Sequence, residues 1–333
     1  MKSPITGKEM RVKKEWREMR FRKENFWILF HSYLCEESGE QFEDDRFASL
    51  NYNQLLNQYR EKYALPFPER IAAIRNQYNL SAKKMSEILG FGVNIYRNYE
   101  GGEVPNQSNA RLIQLAEDPR EFRKLVNLSN SLGQKLKEKI TDRIDRLIEK
   151  HRQYKQQRQL EEYLMGPFNA GSLTGYKVPN LTRFTELVVY FAENLKPWKT
   201  GLNKLLFYAD FSMYKHYGYS ISGARYQAIE MGPVPARFSS IFEYLIGKGE
   251  IDIRYKSFTD GGIGEQFIPN PGRRSNTETF SDDEFEIMEK TMNRFKNAGT
   301  QEIIDISHRE KAWKENHTDR KIIDYKYAFE LND

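Results

Sequence analysis

The chain carries a single cysteine, Cys35, among 333 residues, so no disulfide can close within it. That usage fits a reducing compartment. Its five histidines, His31, His151, His216, His308 and His317, show no His-Glu-x-x-His spacing, and no Ser or Cys sits in a nucleophile elbow. A phosphate-cradling glycine loop is also missing, because Gly261-Gly262-Ile263-Gly264 falls in an expected hairpin turn and not before a helix. No apolar run approaches the roughly eighteen residues of a membrane-spanning helix. Met1 to Gly7 lack the apolar stretch of a secretory signal, so cytoplasmic residence is expected. These absences argue against an enzyme, a cofactor, a bound metal and a membrane partner. The net charge of +5 is modest and allows a local basic face for nucleic acid without requiring one.

What is present is a foldable chain with 39% hydrophobic, 14% aromatic and 30% charged residues. At ~100–200 residues per domain it should hold two or three units. The expected fold class is mainly α with small β parts. Aromatic and charged residues alternate through residues 1–48, as in Phe26-Trp27-Ile28-Leu29-Phe30, which predicts a small β module. Leu50, Leu55, Leu56 and Tyr59 share a helical face, so 49–66 reads as a connecting helix ended by Pro66. Short helices broken by glycines fill 67–128. A basic linker helix and hinge follow over 129–175, with the hinge at Gly166-Pro167. In that helix Leu132, Leu136, Ile140, Ile144, Leu147 and Ile148 form an apolar stripe among Lys135, Lys137, Lys139, Arg143, Arg146, Lys150 and Arg152. Such a stripe can pack on a neighbouring domain, pair in a dimeric coiled coil or run near DNA phosphate. From 176 to 333 the pattern is α+β, with helices at Thr182–Asn194 and Leu202–His216 and a hairpin joining Ile251–Tyr255 to Glu265–Ile268. Pro233 and Pro235 predict a rigid turn entering a helix at Ala236. Ser281 and Glu284 form a capping box.

Two segments share a spacing, Ser3-Pro4-Ile5-Thr6-Gly7 and Cys35-Glu36-Glu37-Ser38-Gly39. Each has the layout of a zinc knuckle, with two ligand positions and a trailing glycine, but Ser3, Thr6 and Ser38 stand where thiolates belong. A hydroxyl keeps its proton near neutral pH and is a poor zinc ligand. A degenerate zinc ribbon without metal is the expectation. Two glycine turns of equal spacing are the simpler alternative.

In Leu80 to Pro105, Ser81 can cap a helix whose buried side is Met85, Ile88 and Leu89, and Gly90 can end it. A second helix then buries Tyr96 and Tyr99 and turns Val93, Asn94, Arg97 and Asn98 outward. Asn and Arg can bond adenine and guanine in the major groove, leaving phosphates to Lys83 and Lys84. The block resembles the Xre/Cro repressor family over 67–118, which implies an all-α helix-turn-helix domain reading operator double-stranded DNA. Ala82 stands where that family often has Gln, so one usual contact is lost. A packing or dimer role is the alternative, with Glu100 and Glu103 as warning signs. The ribbon followed by this domain is similar to the layout of MqsA-like antitoxins.

Further on, Leu202-Asn203-Lys204-Leu205-Leu206-Phe207-Tyr208-Ala209-Asp210, then Gly218, Gly232-Pro233-Val234 and Gly247-Lys248-Gly249, resembles the Panacea (SocA-like) family over 178–315. The resemblance implies an antitoxin that silences a cognate protein toxin by binding it. Tyr208, Asp210, Tyr226, Met231 and Arg237 are the expected toxin-facing residues, because aromatic and Arg side chains dominate interface energy. Core positions are the alternative for each. Together these features predict an antitoxin of a type II system that represses its own operon, as a homodimer. A stand-alone transcription regulator or proteolytic adaptor is the alternative.

Overall fold

The computed structural model describes residues 1–130, 132–153, 155–257 and 262–332. The chain is mainly helical with small antiparallel sheets. In order, it runs β1 (Arg11–Phe21), β2 (Glu24–Leu34), β3 (Gln41–Phe42), α1 (Asp45–Lys62), α2 (Pro68–Gln77), α3 (Ala82–Leu89), α4 (Ile95–Glu100), α5 (Gln107–Leu115) and α6 (Pro119–Leu128). Next come α7 (Gln134–Gln153), α8 (Lys155–Met165), α9 (Leu181–Leu195), α10 (Lys199–Tyr217), β4 (Tyr226–Ile229), β5 (Gly232–Pro235) and α11 (Phe238–Gly247). The chain closes with β6 (Ile251–Ser257), β7 (Ile263–Pro269), α12 (Asp282–Phe295), α13 (Thr300–Arg309) and α14 (Lys311–Lys314), then a 3-10 turn at Tyr325–Glu330.

Two compact units emerge: Met1–Leu55 together with Glu161–Asp333, and Leu56–Leu160. The β module that the sequence sets apart at 1–48 therefore belongs to the same unit as the C-terminal region. Inside that unit the His31 and Phe329 rings lie 5.5 Å apart. The Asn53 amide donates to the Tyr217 carbonyl at 3.1 Å. Gly218, at φ 78, would bring a Cβ to 3.2 Å from that of Asn53, so glycine serves both the left-handed helix end and the close packing.

β1 and β2 pair antiparallel from Arg11↔Leu34 to Phe21↔Glu24, and β3 adds only two residues at the end of β2. The other edge of β2 is met by side chains. Gln54 accepts from Leu29 N–H at 2.9 Å and donates to the Leu29 carbonyl at 3.0 Å. Asn51, three residues earlier on α1, does the same for His31 at 2.8 and 2.9 Å. Two amides on one helix face thus stand in for a neighbouring strand and satisfy buried backbone groups.

α10 is buried on nearly all sides, not amphipathic as its sequence suggested, and packs against α9, β5, α12, α13 and the Tyr325–Glu330 turn. Phe211 stacks on Tyr325 at 4.3 Å between ring centroids. Both prolines of the expected turn lie in β5, which pairs with β4, and the following helix starts at Phe238. The expected hinge is pinned: Arg225 donates to the carbonyls of Met165 and Pro167, each at 3.2 Å, and to Asn169 Oδ1 at 3.1 Å. β6 and β7 form the expected hairpin, while Asp260 and Gly261 of its turn fall outside the described residues.

In the Leu56–Leu160 unit, α2 to α7 enclose one core that includes Ile71, Met85, Tyr96, Ile113, Phe122 and Val126. Ile140, Ile144 and Leu147 of α7 are buried in it, with Leu132, Leu136 and Ile148 packed against it. The apolar stripe of α7 is thus used within its own unit and is not left free for a coiled coil.

Candidate functional site

Three constellations of polar residues stand out, each within one unit. The first is the face of α3 and α4. Ser81 Oγ accepts from Lys84 N–H at 3.2 Å, and Gly90 ends α3 in the left-handed region at φ 71. The buried Ser86 Oγ accepts from Tyr96 N–H at 3.1 Å, and the Tyr96 hydroxyl reaches the Ile71 carbonyl at 2.8 Å. These bonds fix α4 against α3 and α2. The pairing of Ser86 with Tyr96 was missed from sequence, where a mid-helix serine gives little signal.

Val93, Asn94, Arg97 and Asn98 are all exposed, while Tyr96 and Tyr99 point inward. Lys83 is exposed, and Lys84 pairs with Glu87 at 2.6 Å. Of the two acids that argued against DNA, Glu100 is engaged by Arg75 at 2.6 Å, with its side chain mostly covered, and Glu103 remains exposed. α4 is only six residues long. The structure therefore gathers the six residues singled out for DNA on α3 (Lys83, Lys84), on α4 (Arg97, Asn98) and in the turn between them, where Val93 and Asn94 come before the helix that the sequence expected to hold them. The unit carrying them is cationic, with 20 basic against 12 acidic residues, a net +8. The rest of the chain holds 32 against 35, a net −3.

The second constellation lies inside the other unit, on α10. Asp210 is fully buried: Oδ1 accepts from the N–H groups of Ile221 and Ser222 at 2.8 Å, and Oδ2 from the hydroxyls of Ser222 at 2.6 Å and Tyr226 at 2.8 Å. Burial raises its pKa above the ordinary carboxylate value, against the pull of those donors. Lys204 is also 0% exposed; its Nζ donates to the Pro233 carbonyl at 2.9 Å, and burial lowers its pKa to about 7. Gly232, at φ 97, is required here, since a Cβ would stand 2.5 Å from Ser307 Oγ and 2.7 Å from Lys204 Cε. The Tyr208 hydroxyl donates to Glu310 at 2.9 Å, and burial followed by that carboxylate raises its pKa.

This placement corrects the expected toxin-facing set. Tyr208, Asp210 and Tyr226, at 1%, 0% and 0% exposure, are core groups that fasten α10 to the chain after it. Met231, 47% exposed at the β4–β5 turn, and the exposed Arg237 do reach the surface. Arg237 lies over the Tyr163 ring at 4.3 Å and borders an apolar cleft of about 210 Å³ with Met165, Pro235 and Ile241. Tyr255 and Ile263, both exposed, are additions: the register puts them on one face of the β6–β7 hairpin. Alternation of polar and apolar residues across that hairpin is the signal that could have found them. Near the buried lysine, His308 stacks on Trp313 at 3.8 Å, and Trp313 on His317 at 4.1 Å.

The third constellation is the pair of N-terminal turns. Gly7 N–H donates to the Ser3 carbonyl at 2.9 Å and Gly39 N–H to the Cys35 carbonyl at 2.8 Å. The glycines have φ 70 and φ 73, so the turns share one backbone form. Ser3 Oγ accepts from the N–H groups of Ile5 and Thr6, both at 3.2 Å, as a knuckle sulfur would. Thr6 Oγ1 lies 3.4 Å from Cys35 Sγ, and hydrogen bonds from Ser3, Ser38 and Thr6 lower the thiol to about 6. The four positions converge on one point. One thiol and three hydroxyls do not fit zinc, and no group of three metal-ligating residues gathers among the described residues.

No helix among the described residues is long and apolar enough to cross a membrane. No curated protein matches the chain. Residues 202–314, from within α10 to the end of α14, match the family model described as Antitoxin SocA-like, Panacea domain, so the C-terminal part of this chain is similar to that antitoxin domain.

Proposed function

We infer that the protein is an antitoxin of a type II toxin-antitoxin system, silencing a protein toxin by direct binding and repressing its own operon through a helix-turn-helix. The match of residues 202–314 to the SocA-like antitoxin domain carries the first half. In this reading the toxin docks on exposed ground such as Met231, Arg237, Tyr255 and Ile263, while Lys204, Asp210 and Tyr226 hold that ground in shape. The second half rests on the exposed Asn94, Arg97 and Asn98 of a +8 unit, with α3-turn-α4 as an Xre-type reader and Lys83 and Lys84 on phosphates. The converging N-terminal turns are a zinc ribbon that has exchanged its metal for hydrogen bonds. No catalytic role is assigned to any residue. Co-expression with the product of the adjacent gene is the direct test. Growth should be rescued by the wild type, and rescue should weaken in a Met231→Ala/Arg237→Ala variant. Persistent toxicity alongside the intact protein overturns neutralisation. Gel shifts on DNA from upstream of the gene should be abolished by Asn94→Ala/Arg97→Ala.

A further inference from the structure

A cleft of about 490 Å³ opens in the Leu56–Leu160 unit between the Tyr78–Leu80 turn and α7, with Lys139, Arg143 and Arg146 on its walls. The three cations lie four and three residues apart and so share one face of α7, flanking the stripe of Ile140, Ile144 and Leu147 that faces the core. Arg143 is held at the rim by donating Nε–H to the Gln77 carbonyl at 2.9 Å, and its terminal nitrogens make no hydrogen bond among the described residues. Lys139 is exposed, with no ion-pair partner among them. One carboxylate, Asp142, also lines the cleft, so cations outnumber acids there three to one. Leu80 immediately precedes Ser81, which caps α3, the helix that bears Lys83.

We propose that this cleft is a second contact with the DNA backbone: Lys139, Arg143 and Arg146 grip phosphates next to those met by the start of α3. The inference rests on the DNA-binding reading and extends its footprint beyond α3 and α4. A concave cationic surface with no paired carboxylate on Lys139 suits an anion repeated along a strand, and such contacts add affinity without reading sequence. They anchor the short α4, whose six residues offer little contact area of their own.

The test uses the full-length protein and fluorescence anisotropy across a salt series. One probe is a labelled duplex from upstream of the gene, the other a shuffled duplex of the same composition. Lys139→Gln/Arg146→Gln alters exposed positions and spares the Arg143 hydrogen bond. It should flatten the slope of log affinity against log salt by about 1.8, near 0.9 per lost phosphate contact, equally on both duplexes. The charge-matched Arg120→Gln/Lys124→Gln on α6 should keep the wild-type slope. An unchanged slope in the α7 variant, while Arg97→Ala still loses the preference for the upstream duplex, overturns the cleft alone. Failure of the wild type to bind either duplex at low salt overturns the DNA-binding reading and the cleft together.

Discussion

On α4 and at the residue that precedes it, Arg97, Asn98 and Asn94 stand in solvent; on α10, Lys204, Tyr208 and Asp210 are enclosed. The two sets draw on similar residue types, and what separates them is the supply of partners. Asp210 meets four donors from residues 221–226, and Lys204 meets one carbonyl from β5. A buried polar group that is fully hydrogen-bonded specifies the core, whereas one left in water remains free to read a ligand. Polar residues in this chain therefore divide by their neighbours, not by their own chemistry.

The sharpest way to probe the enclosed kind is to give the N-terminal cage back its thiolates. Ser3→Cys/Thr6→Cys/Ser38→Cys should bind one zinc by metal analysis and gain about 4 kcal/mol when the metal stands a thousandfold above Kd. A purified variant that stays metal-free after zinc loading would show that the convergence of the turns is not ligand geometry. Next in size, Asp210→Ala strands four donors in the core and should cost about 3–5 kcal/mol in denaturant unfolding. A loss under 1 kcal/mol would mean the web is dispensable.

Lys204 offers a pH test of the same contrast. Unfolded, it holds its proton to about 10.5; folded, burial releases it near about 7. Between those values the unfolded chain binds more protons, so stability should climb with rising pH by up to about 1.4 kcal/mol per unit, and fall back toward neutrality. Lys204→Met should remove that climb; an identical pH profile in the variant counts against the buried neutral amine. The smallest effect belongs to the exposed kind. Asn94 makes no side-chain cap bond, so Asn94→Ala and Arg97→Ala should each move stability by less than about 0.5 kcal/mol in a thermal melt. A larger loss would assign these residues to packing.

Local chemistry was legible in the sequence. Ser81 and Gly90 bound α3, Tyr96 and Tyr99 turn inward, and Ser281 with Glu284 closes a capping box, with bonds of 3.3 and 2.9 Å. Each of these is set by residues within a few positions. The misplacements share the opposite cause. Tyr226 is enclosed because its hydroxyl serves Asp210, 16 residues earlier. Gly166 is no loose hinge because Arg225 reaches back about 60 residues to the Met165 carbonyl. The β module joins the C-terminal unit through contacts such as His31 with Phe329, which no periodicity reports. At the candidate sites, exposure followed helical spacing on α4 and failed on α10, where apolar and polar faces are both covered.

The amides of Asn51 and Gln54 shield the open side of β2 over Leu29 and His31. A fragment ending at residue 48 would lose both and leave an apolar strand with bare N–H and C=O groups, ready to zip onto its own copies. Trimming the chain there would yield a sticky peptide, and any shortened form meant to remain dispersed has to keep α1.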